Sequence, residues 1–219
     1  MDPSRRSYRR ESQETRRADL IAATQRLVAE GGPEAATVRA IAQRAGVTAG
    51  LIRHYFQTKD ELTRAAYRAL MDGMTTKGAE ALEGVGASPE ERLAAFVSAS
   101  LTPPVLDGGA VVLWAGYMHK LRGDAELLAV HEAAYTAYRD MLEQLIEALH
   151  RDVPPAQVRG EAIACNAVID GLWVEGSLLP HAFAPGEIVS LGLRSVGAIL
   201  GVDLSAHSDT VTTPRKAQP

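Results

Sequence analysis

Between Thr48 and Tyr55 the sequence reads Thr-Ala-Gly-Leu-Ile-Arg-His-Tyr, a stretch whose chemistry suits the edges of DNA base pairs. Leu51 and Ile52 are the apolar residues that face a neighbouring helix, which leaves Thr48, Ala49, Gly50, Arg53 and His54 for a partner. Small side chains let a backbone come close to the bases. Arg53 is the one side chain of the set able to grip guanine O6 and N7 with two donors at once. Thr37, Arg39, Tyr55 and Lys59 flank the stretch at positions suited to phosphate contacts, which fix register without reading sequence. Arg5, Arg6, Arg9, Arg10, Arg16 and Arg17 add electrostatic affinity or reach into a neighbouring minor groove.

A second set of residues points to a small molecule. Trp114, Tyr117 and Met118 recur at helical spacing. His131, Tyr135 and Tyr138 follow at i, i+4 and i+7, and Asn166, Asp170 and Trp173 repeat that spacing further on. If these faces converge they make an aromatic cavity with one carboxylate, which suits a cation, above all a quaternary ammonium. The plainer alternative is that the same stripes are core, with Asp170 accepting N–H groups and Trp173 packing. The residues alone leave both open.

Charge separates the two sets. Residues 1–68 hold 13 Lys/Arg and 8 Asp/Glu, a net of +5, whereas residues 69–219 hold 10 and 19, a net of −9. A nucleic-acid surface fits the first segment and not the second. The single cysteine, Cys165, excludes an intrachain disulfide framework and a multi-cysteine zinc site. It reads as an inert core thiol, and the expected compartment is a reducing cytoplasm. No apolar run approaches membrane-spanning length, and the arginine-rich start has no apolar stretch behind it, so neither a membrane partner nor a secretory signal is expected. His119 and His131 lack a close ligating companion. With no Ser/His/Asp spacing, phosphate loop or metal cluster, the chain is not expected to be an enzyme or to hold a metal or cofactor.

Helical periodicity runs through nearly the whole chain, so the expected fold class is all-α. Residues 1–13 read as a flexible basic arm. A three-helix helix-turn-helix domain is expected over 14–62, a larger helical ligand-binding and dimerisation domain over 63–200, and a disordered tail over 201–219. Leu20, Ile21, Thr24, Leu27 and Val28 mark a first helix ended by Gly31-Gly32-Pro33. Thr37 and Thr48 read as N-caps of short helices over 38–45 and 49–55, with Gly46 in the turn between them. Thr58 with Glu61, and Ser88 with Glu91, are capping boxes opening helices to about Leu82 and Ser100. Further helices are expected at about 110–121, 124–150, 155–179 and 185–200, bounded by prolines. Ile188, Leu191, Gly192, Ser195, Val196 and Ile199 form a stripe expected to join two copies in a four-helix bundle.

Residues 18–65 resemble the N-terminal domain of the TetR family of bacterial one-component repressors. The resemblance lies in Ile21-Ala22-Ala23, in Ala36–Ala42, in Ala45-Gly46-Val47-Thr48 and in Tyr55–Leu62. It implies an all-helical homodimer on a palindromic double-stranded DNA operator, with a small-molecule effector in the C-terminal domain that changes the separation of the two reading heads. Val111–Leu121 and Ile169-Asp170-Gly171-Leu172-Trp173 resemble the BetI subgroup, choline-responsive repressors of glycine-betaine synthesis. That implies an elongated aromatic pocket and a choline-like amine. A regulator of neutral apolar ligands, or a helical protein-interaction domain, is the alternative.

Overall fold

Hydroxyl side chains set several of the helix starts. Thr37 accepts from the Ala40 amide at 3.1 Å, Thr48 from Leu51 at 3.3 Å, Thr58 from Glu61 at 3.0 Å and Ser88 from Glu91 at 3.2 Å. Each satisfies an amide that the first helical turn leaves without a partner. The computed structural model describes residues 3–83 and 88–206, with side chains described from residue 13 onward. Its α-helices are α1 (Pro3–Gly31), α2 (Val38–Ala45), α3 (Ala49–Tyr55), α4 (Lys59–Glu80), α5 (Pro89–Ser100), α6 (Gly108–Met118), α7 (Ala125–Glu147), α8 (Pro155–Leu178) and α9 (Glu187–Leu200). Single 3-10 turns occupy Pro33–Ala35 and Pro180–Ala182, and no strand occurs among the described residues.

Two ends differ from the sequence expectation. The arm expected over 1–13 is helical from Pro3, so α1 starts eleven residues before Glu14. Low apolar content suggests an arm, yet after Pro3 the segment contains no Gly or Pro and is rich in Arg, a good helix former. At the other end, residues 201–206 of the expected disordered tail are folded. Gly201 caps α9 in the left-handed region (φ 68°), the Val202 amide donates to the Gly197 carbonyl at 3.0 Å, and Leu204 is 1% exposed. Residues 207–219 lie outside the described residues.

The chain divides into two compact units, Met1–Met71 with Val112–His131, and Asp72–Val111 with Glu132–Pro219. The division falls inside α4, α6 and α7 instead of at the expected boundary between residues 62 and 63. The reason is the apolar face of α4. Leu62, Ala66 and Tyr67 are fully buried, so the helix-turn-helix unit continues past residue 62. It takes Leu113, Tyr117 and Leu127 from later helices into the same core. Gln25 Nε2 donates to the Ala66 carbonyl at 3.0 Å, and Gly116 lets α6 approach Pro33, which a Cβ there would meet at 3.1 Å.

The second unit centres on α5, α8 and α9. Phe96 and Val97 of α5, Cys165 and Ile169 of α8, and Leu193 and Val196 of α9 are buried. Gly192 lets α9 close on α5, where a Cβ would overlap Leu101. Gly176 does the same for α8 against Ile188. This corrects part of the expected dimer stripe. Ile188, Gly192 and Val196 are buried within their own unit, and Leu191, Ser195 and Ile199 are half-buried. A stripe of apolar and small residues shows that a face is covered, not by which chain.

Candidate functional site

The turn between α2 and α3 is built on Gly46 at φ 65° and ψ 34°, a left-handed conformation that penalises a side chain. The Val47 amide donates to the Ala42 carbonyl at 2.9 Å, closing α2 as α3 begins. Ile41, Ile52 and Phe56 are buried and hold the two helices together. Leu51, expected to face a neighbouring helix with Ile52, is half-buried, as is Val47. The outward edge therefore carries Thr37, Arg39, Thr48, Ala49, Gly50, Arg53 and His54, all exposed, with Tyr55 and Lys59 half-buried beside them. The seven-residue α3 ends where Phe56 turns into the core.

Two arginines near this edge are engaged within the unit. The Arg17 guanidinium lies 4.4 Å from the Phe56 ring centroid, and its Nη1 donates to the Tyr55 carbonyl at 3.5 Å. Arg44 forms a two-pronged pair with Glu30 at 2.6 and 2.8 Å, clamping α2 to α1. A shallow cleft of about 280 Å³ lies between α1 and α3, lined by Gln13, Glu14, Arg17, His54 and Tyr55.

The residues expected at an effector divide between the two units. Trp114, Tyr117, Met118 and His131 belong to the first, and Tyr135, Asn166, Asp170 and Trp173 to the second. In the first unit the fully buried Tyr67 meets His131 Nδ1 at 2.8 Å through its hydroxyl and packs edge-on against Tyr117 at 5.2 Å. Burial pushes the Tyr117 phenol well above its ordinary range, and its hydroxyl has no hydrogen-bond partner among the described residues. Arg64 closes the same region through Asp124, the cap of α7, at 2.9 Å and through Glu126 at 2.6 Å. Burial acts against the Asp124 charge, but the Leu127 amide and Arg64 outweigh it and hold the carboxyl below its ordinary range. Tyr67, Arg64 and Asp124 escape a reading of the sequence, because no spacing rule pairs residues about sixty positions apart.

In the second unit Asn166 Nδ2 donates to Asp170 Oδ2 at 3.0 Å. Burial pushes the Asp170 carboxyl up to about 6, against hydrogen bonds from Asn166 and Tyr135 that favour its charge. Tyr138 bonds Ser100 at 2.8 Å and packs on Phe96 at 5.0 Å. Trp173 is 4% exposed, and its indole N–H donates to the Val105 carbonyl at 2.8 Å, so its one donor is used within the fold. Cys165 is buried and its thiol is pushed up to about 12, chiefly by desolvation.

Comparisons with known proteins meet this geometry at both ends of the chain. Residues 20–66 match the model of the tetR family of bacterial regulatory proteins, and residues 89–201 match that of the BetI-type transcriptional repressor C-terminal domain. The chain is similar to the HTH-type transcriptional regulator BetI 2 of Chromohalobacter salexigens, 33% identical over 78% of this chain and 82% of the relative. Among solved structures it is similar to a Pseudomonas aeruginosa PAO1 protein described as a transcriptional regulator, with TM-score 0.76 and 29% identity over 89% of this chain and 94% of that one. A protein from Saccharomonospora viridis, described likewise and solved in complex with choline, shares the fold with TM-score 0.69 and 18% identity, covering 84% and 95%. Among the described residues no helix is long and apolar enough to cross a membrane. The chain thus belongs to the TetR family of DNA-binding transcriptional regulators and carries a C-terminal domain of the BetI type.

Proposed function

We propose that the protein is a cytoplasmic repressor that binds a palindromic operator as a homodimer and leaves it when a small cation, choline or a near relative, binds the C-terminal domain. The observation that supports DNA reading is the exposed tip of α3, where Arg53 has no ion-pair or hydrogen-bond partner among the described residues. A guanidinium held out beside Ala49 and Gly50 suits guanine in a major groove. Thr37, Arg39, Tyr55 and Lys59 serve the phosphates on either side.

A head this small needs a second copy for useful affinity. The outer face of α8 suits that role. Gly160, Ile163, Ala164, Ala167, Gly171 and Leu178 are exposed at helical spacing, and a Cβ on Gly160 or Gly171 would meet nothing within 4 Å. The half-buried Leu191, Ser195 and Ile199 of α9 extend the apolar area available to a partner helix.

For the effector, Asp170 with Asn166 and Tyr135 supplies a partly desolvated carboxylate beside an aromatic ring, the pairing a quaternary ammonium needs. In the first unit Trp114, Tyr117, Met118 and His131 are candidate contacts of their own, and Trp173, whose indole N–H is already used by the Val105 carbonyl, packs in the second. The choline held by the Saccharomonospora viridis protein and the BetI-type domain favour the same ligand class. The ligand acts only if it prefers the conformation that does not fit the operator, and α4 carries that preference along the chain to the head.

The test is fluorescence anisotropy on the DNA upstream of the protein's own gene, with and without choline. Salt-sensitive binding that choline reverses supports the reading. Binding that only neutral apolar compounds reverse removes the cation, and no binding at any salt removes the regulator of that site.

A further inference from the structure

α1 is longer than a three-helix head requires. Leu20 is the first of its described side chains to enter the core, and residues 13–19 are all exposed, yet the helix begins at Pro3. Pro3–Arg17 contains six arginines and two glutamates. An α-helix turns about 100° per residue. On that period Arg5, Arg9 and Arg16 share one line of the helix and Arg6, Arg10 and Arg17 the next. All six register positions fall within a sector of about 140°, with Glu11 and Glu14 outside it. Where this segment joins the folded head it is tied to the reading helix, through Arg17 on the Tyr55 carbonyl and the Phe56 ring. From Gln13 back to Pro3 the helix runs roughly 15 Å further at 1.5 Å per residue.

The helical state decides between two uses of these arginines. An arm that enters a minor groove must be a narrow, extended chain, because that groove is only about 6 Å wide and an α-helix with side chains is about 10–12 Å across. We infer that the first turns of α1 form a basic helical rail that rests on the phosphate backbone outside the base pairs read by α3. The rail binds the duplex through charge and has no base preference of its own. This deepens the DNA-binding reading above and rests on it.

The experiment compares the full-length protein with two variants on two duplexes of equal length, one of alternating G·C and one of alternating A·T sequence. The first variant changes Arg5, Arg6, Arg9 and Arg10 to Gln, which removes charge and keeps helix propensity. The second, Ser12→Pro, keeps every charge and breaks the helix between the rail and the head. Affinity is followed against salt. The rail predicts that the arginine variant flattens the plot of log affinity against log salt by roughly 0.9 for each phosphate no longer neutralised, equally on both duplexes. Ser12→Pro also weakens binding to both. An unchanged slope in the arginine variant overturns the rail, and so does wild-type affinity in Ser12→Pro or a weakening confined to the A·T duplex. Wild-type protein that binds neither duplex at low salt overturns the DNA reading itself, an outcome distinct from failure of the rail alone.

Discussion

The reading edge of α2 and α3 and the Asp170 cluster of α8 put polar side chains to opposite uses. At the edge, Arg53 and Arg39 stand in solvent, and what they lack is a partner molecule. Around Asp170 the polar groups already hold one another, Asn166 and Tyr135 on the carboxylate and Ser100 on Tyr138. An exposed set separates function from stability, because removing a side chain there disturbs no packing. A buried set does not, because each member also satisfies a neighbour that would otherwise lose its hydrogen bond.

That contrast is most easily broken at Trp173. Trp173→Ala should lower stability by about 3–5 kcal/mol, from poorer packing and an orphaned Val105 carbonyl, read as a shift in the urea midpoint. A change well under 1 kcal/mol would show that this layer is not tightly built. Arg53→Ala should do the reverse. Discrimination between a preferred site and its variants should fall by about 1–3 kcal/mol, while the melting temperature holds. If stability falls instead, the guanidinium is a structural group and the edge is not as free as its exposure indicates.

Asp170 sharpens the comparison through pH. Its carboxyl sits at about 6 in the fold against an ordinary 3.8, so the folded protein holds the proton more tightly than the unfolded chain. The stability this lends is full below pH 4 and is lost as pH rises through about 6. Asp170→Asn has no such titration, so its melting temperature relative to wild type should climb between pH 4 and 7. A gap that stays constant across that window would mean that Asp170 is solvated. The smallest effect is expected at Lys59. Lys59→Ala should weaken binding to all sequences alike and reduce the salt slope by about 1, whereas a sequence-dependent weakening would move Lys59 from the backbone to the bases.

The head is largely legible in the sequence because its signals are local. Thr37, Thr48 and Thr58 each bond an amide three residues on, and Gly46 sets a turn within its own neighbourhood. The bounds of α2 and α3 follow from those few residues. The start of α1 departs from expectation for a related reason. Polar composition indicates an arm, although helix propensity depends on the absence of breakers as much as on apolar spacing. In α9 the period is right, but three positions of the expected stripe, Ile188, Gly192 and Val196, turn inward to their own unit.

A few neighbouring residues are enough to decide the helix starts, the turn, the basic head, and the exposed tip that a short amphipathic helix must present. Which distant groups meet is settled by packing in three dimensions. Tyr67 finds His131 across 64 positions, Ser100 finds Tyr138 across 38, and Trp173 finds Val105 across 68. No periodicity encodes those pairs. They arise because a buried donor or acceptor must find a partner, and close packing of the helices settles which one lies within reach.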